Sequence, residues 1–170
     1  MVLKEKIQKQ ITYFELSGAD NTDDVLRFVK ERSDSLGIGT IVLASTRGGT
    51  AEKAFNILEG KNLIIVGIDR DKFSPDTMKK AEKKGFPVIF SHETSYDYSE
   101  DMKTAFRRFS QGMKVSIEDV VIACTRNVLE KGRDVVSLAG SSWGAETAIV
   151  INSAAEFSKV KIREVICMPR

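Results

Sequence analysis

One histidine, two cysteines and no long apolar run remove several function classes before any motif is read. A lone His92 leaves little material for a histidine-based triad or a zinc site, and no G-x-S-x-G elbow is present. Cys124 and Cys167 stand far apart, and neither belongs to a C-x-x-C or a histidine-containing ligand set. They read as reduced, buried small hydrophobes, and no metal site is expected. No segment approaches the length needed to span a bilayer, and Met1–Gln10 is charged where a signal peptide would be apolar. A cytoplasmic protein without a membrane partner is expected. A net charge of +2 exerts little long-range pull on nucleic acid, which is not expected as a partner either. The densest cationic patch, Lys79-Lys80 with Lys83-Lys84, reads as the solvated face of a helix. Repeats, low-complexity tracts and Pro/Gly/Ser-rich linkers are also lacking, so the 170 residues read as one domain, with residues 1–10 as an N-terminal extension.

What is present is an alternation of strand and helix patterns. Ile11–Glu15 reads as a short strand, and Asn21 or Thr22 marks the start of a helix that Gly37 ends. Thr40–Ala44 reads as a strand, Ala51, Ala54, Phe55 and Leu58 as a helix face, and Leu63–Gly67 as a strand covered on both sides. Ser74-Pro75 opens a helix that Gly85 closes, ahead of the strand Val88–Phe90. Ser91–Tyr98 reads as a loop, Ser99–Phe109 and Ser116–Lys131 as helices, and Val135–Ala139, Thr147–Ile151 and Val165–Met168 as strands. Strands separated by helices argue for an α/β three-layer sandwich, a mostly parallel sheet with a C-terminal antiparallel hairpin.

Two loops carry the chemistry. Thr40–Ala51 is a β-branched run that breaks into Ser45, Thr46, Arg47, Gly48, Gly49 and Thr50 and then enters a helix. A helix start presents unpaired backbone N–H groups and the positive end of the helix dipole, which together stabilise an anion. The glycines permit close backbone approach, and the hydroxyls add donors. A plain βα turn capped by Thr50 is the simpler account, but the small and hydroxyl residues here exceed what a cap needs, which favours anion binding. The loop has no G-K-[ST] ending and is not a Walker A motif, and Gly37-Ile38-Gly39 precedes a strand where a dinucleotide fingerprint would follow one. The second loop, Gly140-Ser141-Ser142-Trp143-Gly144-Ala145-Glu146, is longer than a hairpin requires. Taken alone it fits a ligand loop and a bulged hairpin with Trp143 packed on the core equally well. His92 follows a strand, where a parallel sheet presents its ligand crevice, and Asn21 and Thr22 are helix caps unless the fold brings them to the other loops.

Ile41-Val42-Leu43 through Ser45, Thr46, Gly49 and Thr50 resembles the phosphate loop of the C-terminal regulatory domain of pyruvate kinase, and Asp134–Ile151, with Gly140, Gly144 and Thr147, is similar to that domain's closing hairpin. The resemblance implies that the two loops meet over a sugar bisphosphate. The chain also looks like a group of stand-alone proteins with the pyruvate kinase α/β domain fold, some of which bind flavin mononucleotide (FMN). Phe14-Glu15, Gly18, Asn21-Thr22, Ala44-Ser45, Thr50-Ala51, Ser91-His92, Gly144-Ala145 with Thr147, and Ile166-Cys167-Met168-Pro169 carry that likeness. Where those relatives tend to have a longer loop with Gly-Phe, this chain has Asp69–Pro75. Pyruvate kinase activity is excluded, because the catalytic barrel needs on the order of 250 further residues.

The expected function is binding of a phosphorylated small molecule, with FMN as the cofactor the resemblance implies. Ser45 to Thr50, Arg47 included, would hold the phosphate. Gly140, Ser141, Ser142, Trp143, Gly144, Ala145 and Thr147 would close over it, and Glu15, Asn21, Thr22 and His92 are further candidate contacts. Two alternatives stand beside it. One is a flavin-dependent or phosphoester enzyme with His92 or Glu15 as proton carrier. The other is a sugar-phosphate-sensing module that self-associates through an unpaired hairpin edge.

Overall fold

The near-continuous apolar runs along Thr40–Ala44 (β2), Asn62–Gly67 (β3), Asp134–Ala139 (β5) and Thr147–Asn152 (β6) are buried on both faces and divide the interior into two cores. Successive strand side chains point to opposite faces. Ile41, Leu43, Leu63, Ile65, Val136 and Leu138 therefore pack on one side with helices α1 (Thr22–Leu36), α2 (Gly49–Ile57) and α3 (Pro75–Lys84). Val42, Ile64, Val66, Val135, Ile149 and Ile151 pack on the other with α5 (Gln111–Thr125) and its neighbour α4 (Glu100–Arg107). The computed structural model, which describes residues 6–170, is thus an α/β protein with helices on both faces of a sheet. Residues 6–10 of the expected N-terminal extension carry no regular structure, and residues 1–5 lie outside the described residues.

Among the described residues the sheet has seven strands in the order β1-β7-β6-β5-β2-β3-β4, with β1 at Thr12–Phe14, β4 at Val88–Phe90 and β7 at Lys161–Pro169. The pairs β1–β7, β2–β3, β2–β5 and β3–β4 are parallel, and β6 runs antiparallel to both β5 and β7. The closing hairpin is therefore interior. Its strands are covered by β2 and β7, so the free-edge interface expected of it does not exist, and the edges fall to the three-residue strands β1 and β4. Arg32 on α1 ties the helix layer to β7 through a two-pronged pair with Glu164, Nε to Oε2 at 2.7 Å and Nη2 to Oε1 at 2.6 Å.

The helix signals hold closely for α1 and α3. Gly37 and Gly85 take positive φ at their ends, and the Ser74 hydroxyl accepts the Thr77 N–H with Pro75 in the first turn. Lys79, Lys80, Lys83 and Lys84 are exposed. The helix expected at Ser116–Lys131 instead spans Gln111–Thr125. It starts early because the Ser110 hydroxyl caps the Met113 N–H at 2.8 Å. Gly112 lets its first turn press on the sheet: a Cβ there would lie 2.5 Å from Thr147 Oγ1 and 2.9 Å from the Ala139 carbonyl. It stops early because Asn127 takes a φ of 55° while the Val128 N–H returns to the Ala123 carbonyl, a C-terminal cap that an asparagine can form. The last strand runs well beyond Val165–Met168, since it pairs with both β6 and β1. Cys124 and Cys167 are free and buried, and burial pushes the Cys167 thiol up to about 12. No helix among the described residues is long and apolar enough to cross a membrane.

Candidate functional site

From β2 the chain passes through α2 to β3 on one face of the sheet, and from β4 it returns through α5 to β5 on the other. The gap between the ends of the neighbouring parallel strands β2 and β5 is consequently a topological switch point, where open α/β sheets form a ligand crevice. A cavity of about 550 Å³ lies there, walled by the loops that follow β2, β3, β4 and β5 and by the N-terminal half of α5. That volume is ordinary for a cofactor or small-molecule site, which spans roughly 300–1,000 Å³.

The first predicted loop contributes Ser45, Thr46, Arg47, Gly49 and Thr50 to the lining. Ser45 is buried, and its hydroxyl oxygen accepts the Ala51 N–H at 3.2 Å, so its proton stays available to a ligand. The residue before α2, Gly48, has no side chain to cap it, which leaves the Gly49 and Thr50 N–H groups facing the cavity end of the loop. Gly48 belongs to the loop but not to the lining. Its φ of 100° makes the turn, and its α carbon sits against α3, where a Cβ would come within 2.7 Å of Thr77 Oγ1. The Asp69–Pro75 segment braces the same loop from behind: the Ser74 N–H donates to the Arg47 carbonyl at 3.2 Å, and Phe73 is buried edge-on against Phe90.

The second loop meets the first. Gly140, Ser141, Ser142, Trp143 and Gly144 all line the cavity, and the Arg47 guanidinium lies over the Trp143 ring at 4.3 Å. Trp143 is 54% exposed and does not pack on the core. Thr22 joins them at the rim. Its hydroxyl donates to the Ala19 carbonyl at 2.7 Å and accepts the Ala145 N–H at 3.0 Å, which pins the hairpin loop to the start of α1. The buried Glu146 pins it again, its Oε2 accepting the Gly18 N–H at 3.1 Å and the Ser141 hydroxyl at 3.3 Å.

Four further sequence candidates lie outside the lining. Ala145 is buried beneath the loop, and Thr147 is fully buried with its hydroxyl 2.9 Å from that of Ser110. Glu15 is exposed and pairs with Arg170 at 2.8 Å, and Asn21 donates from its side chain to the Leu16 carbonyl instead of capping α1. His92 does line the cavity, from an exposed turn after β4.

The opposite wall was not legible in the sequence. Gln111, Lys114, Val115, Glu118 and Asp119 recur at three- and four-residue spacing and form one face of α5 turned to the cavity. Lys114, Glu118 and Asp119 are all buried. The Lys114 ammonium pairs with Glu118 Oε2, and the Tyr96 hydroxyl donates to Glu118 Oε1 at 2.7 Å. Asp119 Oδ2 is buried with no partner among the described residues. Desolvation, then the neighbouring Glu118 charge, holds the Asp119 carboxyl well above the usual carboxylate range, with Lys114 opposing. Burial and the bond to Glu118 likewise raise the Tyr96 phenol. A charged stripe beside the apolar stripe of Ile117, Val120, Val121 and Cys124 looks in sequence like a solvated face.

The chain matches no known protein-family profile.

Proposed function

We propose that this protein binds a phosphorylated small molecule, with FMN the first ligand to test. The observation that carries the reading is the meeting of two loops far apart in sequence, Ser45–Thr50 and Gly140–Gly144, over one cavity at the switch point of the sheet. Each hydrogen bond to a charged phosphate adds roughly 1.5–3 kcal/mol, against about 0.5–1.5 for a neutral pair, so several convergent donors are needed. The Ser45, Thr46 and Thr50 hydroxyls, the first turn of α2 and Arg47 supply them. FMN fits the residues present: Val66, Ile68, Val115, Tyr96 and Trp143 offer apolar surface to a flat ring system, and the hydroxyl loops take the phosphate. A bound flavin would supply hydride chemistry, and the protein groups would bind, orient and shield it.

The visible spectrum of freshly purified protein, with mass spectrometry of what heat releases, tests the reading directly. A yellow sample yielding FMN supports it. A colourless sample that binds neither FMN nor another phosphate ester overturns it. Replacing Gly49 with leucine sharpens the result. A Cβ there meets nothing within 4 Å, so stability should stay within about 0.5 kcal/mol of wild type while FMN affinity is abolished. Unchanged affinity in Gly49→Leu would show that the ligand does not use this loop.

A further inference from the structure

A buried carboxylate with no partner is costly, and a fold keeps one where something else completes it. Asp119 is such a group: 4% exposed, Oδ2 unpartnered, and part of the cavity wall farthest in chemistry from the phosphate loops. Its neighbours relieve it only in part. Lys114 favours the charged form of Asp119 but is hydrogen-bonded to Glu118, and the Tyr96 hydroxyl donates to the same Glu118. What Asp119 lacks is a hydrogen-bond donor of its own. What it repels is a second anion.

We propose that Asp119 is the centre of a second subsite, which accepts a hydrogen bond from an N–H or O–H of the ligand whose phosphate sits in the Ser45–Thr50 loop. The inference rests on the phosphate reading above and narrows it. The ligand is two-ended, a phosphate monoester whose remainder carries donors, as a polyol chain or an imide-bearing heterocycle does. A sugar bisphosphate is disfavoured, because a second phosphate would face two carboxylates with one ammonium already paired. Tyr96 and Lys114 act as positioning residues, holding Glu118 so that it does not turn toward Asp119.

The test is calorimetric titration of wild type and Asp119→Asn with FMN, riboflavin and a hexose bisphosphate. Riboflavin carries the same donors as FMN without the phosphate. Asp119→Asn should weaken FMN and riboflavin by a common factor of about 10–100, leaving their ratio unchanged, since the ligand's donor pairs with the ionised carboxylate, a form asparagine does not have. The hexose bisphosphate should bind wild type more weakly than FMN. Equal affinities in wild type and variant overturn the subsite while leaving the phosphate site standing, and so does a hexose bisphosphate that outcompetes FMN. If wild type binds no FMN, the ligand reading fails and the melting temperature of the unliganded protein decides the subsite. Removing the cost of burying this carboxyl, whether it is paid as a buried charge or as protonation on folding, should raise the melting temperature of Asp119→Asn by about 2–4 °C. A fall of that size marks Asp119 as structural and overturns the inference.

Discussion

On the β2–α2 side the cavity is walled by backbone N–H groups, hydroxyls and glycines in loops, and on the α5 side by charged side chains buried in the middle of a helix. The first wall carries its polarity on the backbone, where it costs nothing to keep wet and is ready for an anion. The second carries it on Lys114, Glu118 and Asp119, which the fold has taken out of water and only partly compensated. A loop wall of this kind should tolerate substitution energetically and lose function, whereas the helix wall should respond in stability first.

The largest effect is expected from Lys114→Met. It strands Glu118 and Asp119 without a counter-charge and should cost about 3–5 kcal/mol in urea denaturation. Adding Glu118→Leu should restore most of that loss, because an apolar pair replaces the buried ions. A cost below about 1 kcal/mol would mean that cavity water solvates this wall as well as bulk water solvates a surface pair, and the contrast between the walls would vanish.

Gly144→Ala comes next, at about 2–3 kcal/mol, and it breaks the loop wall where that wall is least tolerant. Gly144 has a φ of 95°, and a Cβ would strike Thr22 Oγ1 and approach Ala19 Cα to 2.8 Å. Near-wild-type stability in this variant would show that the hairpin loop is not docked on α1.

The smallest effect is a control outside the cavity. Arg32 and Glu164 form an ion pair whose side chains are 17% and 21% exposed, wetter than Lys114 and Glu118. Glu164→Gln should cost about 1 kcal/mol at neutral pH. Arg32 holds the Glu164 carboxyl below its ordinary value. The stabilisation is therefore present above the usual carboxylate range and fades as pH falls through the lowered value, so denaturation curves of variant and wild type should converge in acid. A difference that persists there would assign the effect to packing.

The same contrast explains what could be read from sequence. β2 was placed at its observed bounds, and the hydroxyl–glycine loop after it was recognisable, because turn chemistry is local: Ser45, Gly48, Gly49 and Thr50 state their roles within six residues. Ser74-Pro75 and Gly85 framed α3 for the same reason. α5 departs from its expected bounds, and its cavity-lining residues carry no local signal, because their role is set by distant strands. Gly112 is helical since it must clear Thr147 and Ala139 from other strands, and Lys114 and Asp119 are buried since four strand ends converge above them. No periodicity within the helix distinguishes a face turned to water from a face turned to a cavity. Glu146 was passed over likewise, its partner Gly18 lying 128 positions away.

The hairpin that carries the second loop has neighbours on both flanks, β2 and β7, so neither root of that loop can swing without disrupting the centre of the sheet. Between the tips of the two loops the contact is that of Arg47 on Trp143. An exposed stack of that kind is worth about 0.5–1 kcal/mol, one or two units of thermal energy, and side chains at a surface reorient within nanoseconds. Parting the two loop tips at this contact therefore asks no rearrangement of the sheet, only a reorientation that thermal motion supplies.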